Sequence, residues 1–253
     1  MGYAEVYKSW QDDPEGFWME QAKAISWDKP PSKALHAENA PLYEWYKDAQ
    51  VNACYNAVDR HVEAGRGDQT AIIYDSPITG NKSKTSFAEL QVQTASLAGA
   101  LQAKGIVAGD RVIIYMPMVT EALVAMLACA RIGAVHSVVF GGFAAHELAV
   151  RIDDATPKAI IAASCGLEPN RIVAYKPLID GAIEQSKHKP DFTIVLQREQ
   201  HTCDMIDGRD FDWHDVQKGV APAPCIPVSG DHPAYILYTS GTTGAPKGVA
   251  YTH

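Results

Sequence analysis

Positive charge is scarce in this chain of 253 residues, which has 22 Lys and Arg against 30 Asp and Glu and a formal net charge of −8. An acidic protein is repelled by the phosphates of nucleic acids and by anionic lipid headgroups. We therefore expect neither nucleic acid nor a membrane as a partner. Any anionic small molecule must then be held by a few local cations.

Paired metal-ligand residues are also lacking. None of the nine histidines stands at zinc-ligand spacing from a cysteine, which predicts no structural metal. The five cysteines are odd in number and form no C-x-x-C pair, as expected for reduced thiols in the cytoplasm. Because the sequence shows no base beside Cys165 or Cys225, we expect both to be inert structural thiols.

No targeting or membrane-spanning segment is evident. The start of the chain, Met1–Glu5, does not combine a basic segment with an apolar run, so it does not read as a secretory signal. The most apolar stretch, residues 122–143, is interrupted by Arg131, Gly133 and His136 and is poorly suited to cross a bilayer. It predicts a core helix followed by a strand.

Three common catalytic motifs are incomplete. The segment 162–166 reads Ala-Ala-Ser-Cys-Gly, with alanine where a serine-hydrolase elbow needs its first glycine. Thr70 stands where a dinucleotide fingerprint beginning at Gly65 needs its third glycine, and that segment precedes a strand. Val150 replaces the second histidine of a zinc-protease motif that would begin at His146. These patterns argue against a hydrolase, a dehydrogenase and a metalloprotease.

Strands of four to six apolar residues alternate with amphipathic helices along most of the chain. This alternation predicts an α/β fold with a mostly parallel, doubly wound sheet covered by helices on both faces. A capping box at Ser86 and Glu89 starts one helix, and Gly105 ends it. The predicted strands are 70–74, 111–115, 136–140, 158–163 and 192–196, and the predicted helices after the first are 119–132, 144–154 and 175–187.

Two stretches depart from this alternation. Residues 1–62 are rich in aromatics and prolines, and we interpret them as an irregular N-terminal arm that docks on an α/β body spanning 63–253. Residues 198–231 are polar and rich in Pro and Gly, which predicts an irregular surface connection.

The segment 238–248 carries the strongest functional signal. A strand at 235–238 runs directly into hydroxyls, glycines and one lysine, the chemistry of a loop that grips polyphosphate. It is not a Walker loop, because Pro246 precedes Lys247 and Gly248 follows it. The candidate phosphate-binding residues are Thr239, Ser240, Gly241, Thr242, Thr243, Gly244 and Lys247.

The order Thr-Ser-Gly-Thr-Thr-Gly-x-Pro-Lys-Gly resembles the signature of the AMP-forming adenylating enzymes. The strings 115–122 and 126–143 closely resemble acetyl-CoA and propionyl-CoA synthetases, and the aromatic arm resembles the N-terminal segment of those families. The resemblance covers nearly the whole chain. It implies a partial N-terminal domain of the adenylate-forming fold, with ATP, Mg²⁺ and coenzyme A as ligands. The acyl pocket and a catalytic lysine are expected in later sequence, so we expect no catalytic residue here.

The resemblance also implies a coenzyme A site. It would comprise Phe140, Gly141, Gly142, Glu168, Pro169, Asn170, Arg171 and Val173. Acetyl-CoA synthetases typically carry arginine at the positions of both Glu168 and Arg171. Here Arg171 is expected to make the ionic contact, while Glu168 accepts from adenine or ribose. A tight turn explains Gly141 and Gly142 equally well, and a solvated arginine remains the alternative for Arg171.

This departure at Glu168, together with segments 74–80 and 164–169, is more similar to propionyl-CoA synthetases. The resemblance therefore implies a short-chain fatty acid–CoA ligase that activates propionate. Acetate is the alternative substrate, and a non-catalytic phosphate-binding module is the alternative from another class. We expect small-molecule substrates, and the sequence does not set the oligomeric state.

Overall fold

The computed structural model describes residues 2–239 and 246–253. The candidate residues Ser240, Gly241, Thr242, Thr243 and Gly244 lie outside this range. The helices are α1 (Tyr3–Asp12), α2 (Pro14–Ala22), α3 (Phe87–Ala103), α4 (Thr120–Arg131), α5 (Ala145–Ala155) and α6 (Lys176–Gln185). Two π-helical segments, Tyr55–Asp59 and Val62–Arg66, and one 3-10 turn, Asp215–Gln217, complete the helical structure of the described residues.

The strands are short in the arm and longer in the body. They are β1 (Leu35–His36), β2 (Glu44–Trp45), β3 (Gln50–Val51), β4 (Thr70–Asp75), β5 (Lys82–Ser86), β6 (Arg111–Met116), β7 (Val135–Phe140), β8 (Ala159–Ala163), β9 (Cys165–Glu168), β10 (Arg171–Ala174), β11 (Phe192–Leu196), β12 (Asp210–Asp212), β13 (Val228–Ser229), β14 (Pro233–Thr239) and β15 (Lys247–Thr252).

A seven-stranded sheet in the order β12-β11-β8-β6-β7-β14-β15 forms the centre of the molecule. All neighbouring pairs are parallel except β14 and β15, which form an antiparallel hairpin at one edge. The apolar runs of β6, β8 and β11 are buried almost throughout, as expected for strands covered on both faces. The predicted α/β class with a mostly parallel sheet is confirmed.

The connections run in both directions from the central strand β6. The chain passes from β6 through α4 to β7, then back over β6 through α5 to β8, and outward through α6 to β11. Because such crossovers are right-handed, α4 covers one face of the sheet and α5 and α6 cover the other. The close packing of α5 on α6, and of α3 on α4, agrees with this arrangement.

Two interpretations from the sequence need correction. The strand predicted at 70–74 does not join the main sheet but pairs with β5, which the sequence analysis missed because Lys-Ser-Lys-Thr-Ser has no apolar alternation. The segment 198–231 is not wholly irregular, since β12 extends the main sheet and β13 pairs with β3 of the arm. The capping box at Ser86 and Glu89 is present, with both reciprocal hydrogen bonds formed.

Candidate functional site

A cleft of about 310 Å³ opens at the carboxyl ends of the central parallel strands. Its walls come from the turns after β6, β7, β8 and β11, with the β4–β5 hairpin on the outside. The loops after β6 and β7 lead to helices on opposite faces of the sheet, which leaves a crevice between them. Open α/β sheets bind ligands at such a switch point.

The glycines after β7 are required by close packing. Gly142 has φ of +102°, which a side-chain residue rarely adopts. A Cβ at Gly141 would lie 2.6 Å from the hydroxyl oxygen of Tyr175, and one at Gly166 would lie 2.1 Å from it. The glycine turn is therefore shaped around the Tyr175 ring, and it leaves bare backbone beside the cleft.

Tyr115 holds this turn in place from the sheet. Its hydroxyl donates to the carbonyl oxygen of Phe143 at 2.7 Å and accepts from the backbone N–H of Gly142 at 3.0 Å. Its ring packs edge-on against Tyr175 with centroids 5.1 Å apart. The buried end of β6 thus fixes the backbone that lines the cleft.

The turn predicted after β8 is a β-hairpin. Strands β9 and β10 pair antiparallel, with Glu168 opposite Arg171 and with Pro169 and Asn170 at the tip. Arg171 donates from Nε and Nη2 to the two Glu168 carboxylate oxygens at 2.8 and 3.1 Å. The hydrogen bond from Arg171 lowers the pKa of Glu168. The sequence analysis treated the two side chains as separate contacts, whereas the hairpin register pairs them.

The structure brings the predicted coenzyme A residues together in two adjoining spaces. The cleft is lined by Phe140, Gly141, Gly142, Glu168 and Val173. The adjoining groove, of about 500 Å³, is lined by Glu168, Pro169, Asn170 and Arg171. Their assignment to coenzyme A stays a prediction.

Two cleft residues, Tyr175 and Arg198, were missed by the sequence analysis. The sequence predicts an irregular connection at Arg198 and points to Arg171 as the cation of this region. The sequence position of Arg198 could have identified it as a site residue, because it comes two residues after a buried parallel strand. Burial raises the pKa of Tyr175 to about 12, with Tyr115 adding to the shift and the nearby charge of Arg198 opposing it. Tyr175 therefore stays protonated and can donate a hydrogen bond.

The phosphate-loop candidates that the structure describes lie at the same edge of the sheet. Thr239 ends β14 and pairs with Lys247 at the start of β15. Because Tyr235 pairs in parallel with His136, Thr239 lies level with Phe140 at the carboxyl end of β7. Thr239 thus lies beside the start of the glycine turn.

Helix α5 connects these two parts of the site. The Tyr238 hydroxyl donates to Asp154 Oδ2 at 2.7 Å. The guanidinium of Arg151 lies 5.4 Å from the Tyr238 ring and 5.1 Å from the Phe143 ring. Both distances are within cation–π range. The buried side chain of Arg151 therefore contacts both the strand that precedes the predicted phosphate loop and the end of the glycine turn.

A buried cluster joins the arm to the body away from the cleft. Arg131 donates to the Asp59 carboxylate at 2.7 and 3.0 Å and to Cys54 Sγ at 3.6 Å. Donor atoms of Cys54, Asp59 and Cys225 lie within 4.8 Å of one another, a spacing that could suit a metal. The guanidinium, however, already supplies the positive charge there. We interpret the cluster as structural.

The structure brings a carboxylate to Cys225, whose thiol donates to Asp59 Oδ2 at 3.5 Å. The sequence could not show this, since the two residues are 166 positions apart. Even so, the hydrogen bond with Cys54 and burial raise the pKa of Cys225. Burial also raises the pKa of Cys165. Both thiols therefore stay protonated, which fits the inert role expected for them.

Within residues 2–239 and 246–253, no helix has the length and apolar character needed to cross a membrane.

Comparison with known proteins gives two family matches. The sequence model of a family described as AMP-binding enzyme matches residues 58–253, and one described as acetyl-coenzyme A synthetase N-terminus matches residues 3–57. An uncharacterised protein of Pseudomonas aeruginosa is 51% identical over 249 residues, which cover 98% of this chain and 40% of the relative.

Two relatives have informative names. The human acyl-CoA synthetase short-chain family member 3, mitochondrial, is 49% identical over 238 residues, or 94% of this chain and 35% of its own length. The acetyl-coenzyme A synthetase of Streptomyces coelicolor is 44% identical over 251 residues, or 98% of this chain and 38% of its own. The chain thus spans 35% to 40% of the length of the three relatives.

Proposed function

Because this chain belongs to the AMP-binding enzyme family, we propose that it is the N-terminal part of an AMP-forming short-chain acyl-CoA synthetase. In the first step, an oxygen of the carboxylate attacks the α-phosphorus of Mg-ATP, and pyrophosphate leaves to give an acyl-adenylate. In the second step, the coenzyme A thiol attacks the acyl carbon, loses its proton and displaces AMP. The products are a thioester, AMP and pyrophosphate.

The observation that carries this proposal is the shared edge of the sheet. The hairpin ends at Thr239 and Lys247 lie beside the glycine turn that walls the cleft. One edge thus offers separate places for a polyphosphate and for a second, nucleotide-bearing ligand. A reaction that joins a carboxylate to coenzyme A at the expense of ATP needs both.

On the phosphate side, Lys247 and the Thr239 hydroxyl would hold the β- and γ-phosphates. Ser240, Thr242 and Thr243 would add hydroxyls, and Gly241 and Gly244 would add backbone amides. Gripping these phosphates stabilises the charge that develops on pyrophosphate as it leaves. It also keeps the α-phosphate exposed to the carboxylate.

On the other side, the cleft and its adjoining groove would receive the nucleotide end of coenzyme A. Phe140 is 68% exposed at the rim, so its ring offers a flat apolar surface on which an adenine could stack. The bare backbone of Gly141 and Gly142 allows that ligand a close approach.

We further propose propionate as the carboxylate, with acetate as the alternative. The support for propionate is the acidic Glu168 and the surrounding segment, while the names of the relatives include both short-chain acyl and acetyl synthetases. The arm at 1–62 and the body at 63–253 would form the first part of the enzyme. We place it in the cytoplasm on the strength of its thiols, although the human relative is named as mitochondrial.

The test is turnover by the full-length protein with ATP, coenzyme A and a series of short carboxylates. The proposal predicts thioester formation with AMP release, and kcat/KM highest for propionate. A higher kcat/KM for acetate would replace propionate as the substrate but keep the chemistry. Failure to form a thioester from any short carboxylate would refute the proposed function.

A further inference from the structure

The cleft contains a cation whose charge the surrounding carboxylates do not balance. Of the described residues, three charged ones line it: Asp75, Glu168 and Arg198. Asp75 Oδ2 lies 2.9 Å from Lys82 Nζ, and Glu168 forms an ion pair with Arg171. Both carboxylates therefore already have a cationic partner. Arg198 hydrogen-bonds to a backbone carbonyl and makes no ion pair with a carboxylate in the described ranges. Arg198 therefore gives the cleft a local positive charge.

Arg198 is anchored at its backbone and at one nitrogen of its guanidinium. Its backbone N–H donates to Ser164 Oγ at 2.9 Å, and Nη1 donates to the Cys165 carbonyl oxygen at 3.1 Å. These bonds tie it to the start of β9. Because a guanidinium carries five N–H donors in a planar fork, this arrangement presents further donors in a fixed orientation.

Tyr175 supplies a neutral donor in the same cleft. The residue is only 3% exposed, and its hydroxyl lies where side chains at Gly141 or Gly166 would stand. Within the described residues, this hydroxyl has no hydrogen-bond partner, whereas the neighbouring Tyr115 hydroxyl has two. Because Tyr175 lines the cleft, its hydroxyl can donate to an acceptor that enters there.

A fixed guanidinium fork beside a protonated hydroxyl suits a phosphate group, which has several acceptor oxygens and a negative charge. Because Tyr175 lines the cleft and is only 3% exposed, the phosphate that reaches it must project from its ligand. On the nucleotide end of coenzyme A, the 3′-phosphate is a terminal monoester, whereas the two pyrophosphate groups lie within the chain. A terminal monoester also carries more charge per phosphorus, about −1.5 to −2 at neutral pH.

We infer that Arg198 and Tyr175 bind the 3′-phosphate of coenzyme A and so select coenzyme A over its 3′-dephospho form. This inference rests on the proposed function. It assigns recognition of the 3′-phosphate to two cleft residues outside the hairpin. The phosphate then has a cationic partner even though Arg171 is paired with Glu168.

The test uses the full-length protein and the variants Arg198→Gln and Tyr175→Phe. The glutamine substitution keeps an amide donor for the Cys165 carbonyl, and the phenylalanine substitution keeps the ring that packs against the glycines. Isothermal titration measures the binding of coenzyme A and of 3′-dephospho-coenzyme A, and thioester formation gives kcat/KM for both. Arg171→Gln is the comparison variant, since it removes the other arginine of the proposed coenzyme A site, which the inference does not assign to the 3′-phosphate.

For Arg198→Gln we expect affinity for coenzyme A to fall about 10- to 50-fold while affinity for the dephospho form stays within about twofold. Tyr175→Phe should lose about three- to tenfold in the same selective way. Adenylate formation from ATP and the carboxylate should be unchanged in both variants.

Equal losses for both ligands, or none, would overturn the inference and leave the proposed function standing. The same holds if Arg171→Gln, rather than Arg198→Gln, abolishes the selectivity. If the wild-type protein binds neither ligand and forms no thioester, the proposed function fails together with the inference.

Discussion

Two arginine–carboxylate pairs in this chain have nearly the same geometry and different roles. Arg131 holds Asp59 at 2.7 and 3.0 Å, and Arg171 holds Glu168 at 2.8 and 3.1 Å. The side chains of the first pair are each 7% exposed, whereas those of the second are 71% and 50% exposed. The two pairs therefore differ in their burial and not in their hydrogen-bond lengths.

The buried pair joins residues 72 positions apart and fixes the arm to the end of α4. Gln91 and Cys225 also donate to Asp59, so the carboxylate is well satisfied. The exposed pair joins residues three positions apart in one hairpin. Because both side chains of the exposed pair are accessible, water or a ligand can replace either partner at little energetic cost.

The largest effect is expected for Asp59→Asn, which tests whether the buried pair stabilises the fold. The change leaves the Arg131 charge buried without its counterion, which should lower the free energy of unfolding by about 3–5 kcal/mol. Urea denaturation measures the loss. The double variant Asp59→Leu with Arg131→Met is the control, and it should recover most of the stability because no buried charge remains. A loss in Asp59→Asn below about 1 kcal/mol would contradict the structural role.

Lys247→Ala sharpens the comparison with a cation whose proposed role is to bind phosphate. Lys247 is exposed at the start of β15, so its removal should leave the melting temperature nearly unchanged. In the full-length protein, adenylation should fall about 10²- to 10³-fold, or about 2–4 kcal/mol, because a contact to the leaving pyrophosphate is lost. Carboxylate-dependent pyrophosphate exchange measures this rate, while coenzyme A affinity serves as the control. Wild-type exchange would show that the lysine does not bind phosphate.

The pH dependence of stability tests the buried pair without a large structural change. Burial acts to raise the pKa of Asp59, but hydrogen bonds from Arg131 and Gln91 outweigh it and leave the pKa below its usual value. A lowered pKa stabilises the fold above the unfolded value, near 4, and this contribution is lost as pH falls through the folded pKa. Thermal melts from pH 6 to pH 3 should therefore show a steeper loss for the wild type than for Asp59→Asn. Parallel curves would contradict this assignment.

Glu168→Gln should give the smallest effect. Releasing Arg171 from its carboxylate leaves a second cation beside the coenzyme A groove, so KM for coenzyme A should fall about two- to fivefold with unchanged stability. The KM for ATP is the control and should not move. A rise in KM for coenzyme A would indicate instead that Glu168 accepts a hydrogen bond from the ligand.

Much of the fold follows from sequence because its signals are local. The strand at 192–196 is predicted to the residue, and the capping box at Ser86 and Glu89 forms as expected. Long apolar runs and small helix-facing residues specify a covered parallel sheet with few alternatives. Elements defined by pairing alone, such as β5 and the β9–β10 hairpin, carry no such periodicity.

The candidate site likewise has parts that are visible in the sequence and parts that depend on pairing and packing. The glycine turn and the phosphate loop are visible as motifs, since backbone conformation and phosphate binding restrict the residue types. The ion pair between Glu168 and Arg171 depends on hairpin register, and the approach of Tyr175 to Gly141 depends on packing between separate elements. Arg198 enters the cleft because strand β11 lies beside β8, which only the sheet order reveals.

The most direct test of the proposed function is a product balance for the full-length protein given ATP, propionate and coenzyme A. We predict one propionyl-CoA, one AMP and one pyrophosphate for each ATP consumed, with loss of turnover when the carboxylate is omitted. Formation of ADP and inorganic phosphate, or ATP cleavage that does not depend on the carboxylate, would contradict an acyl-adenylate mechanism.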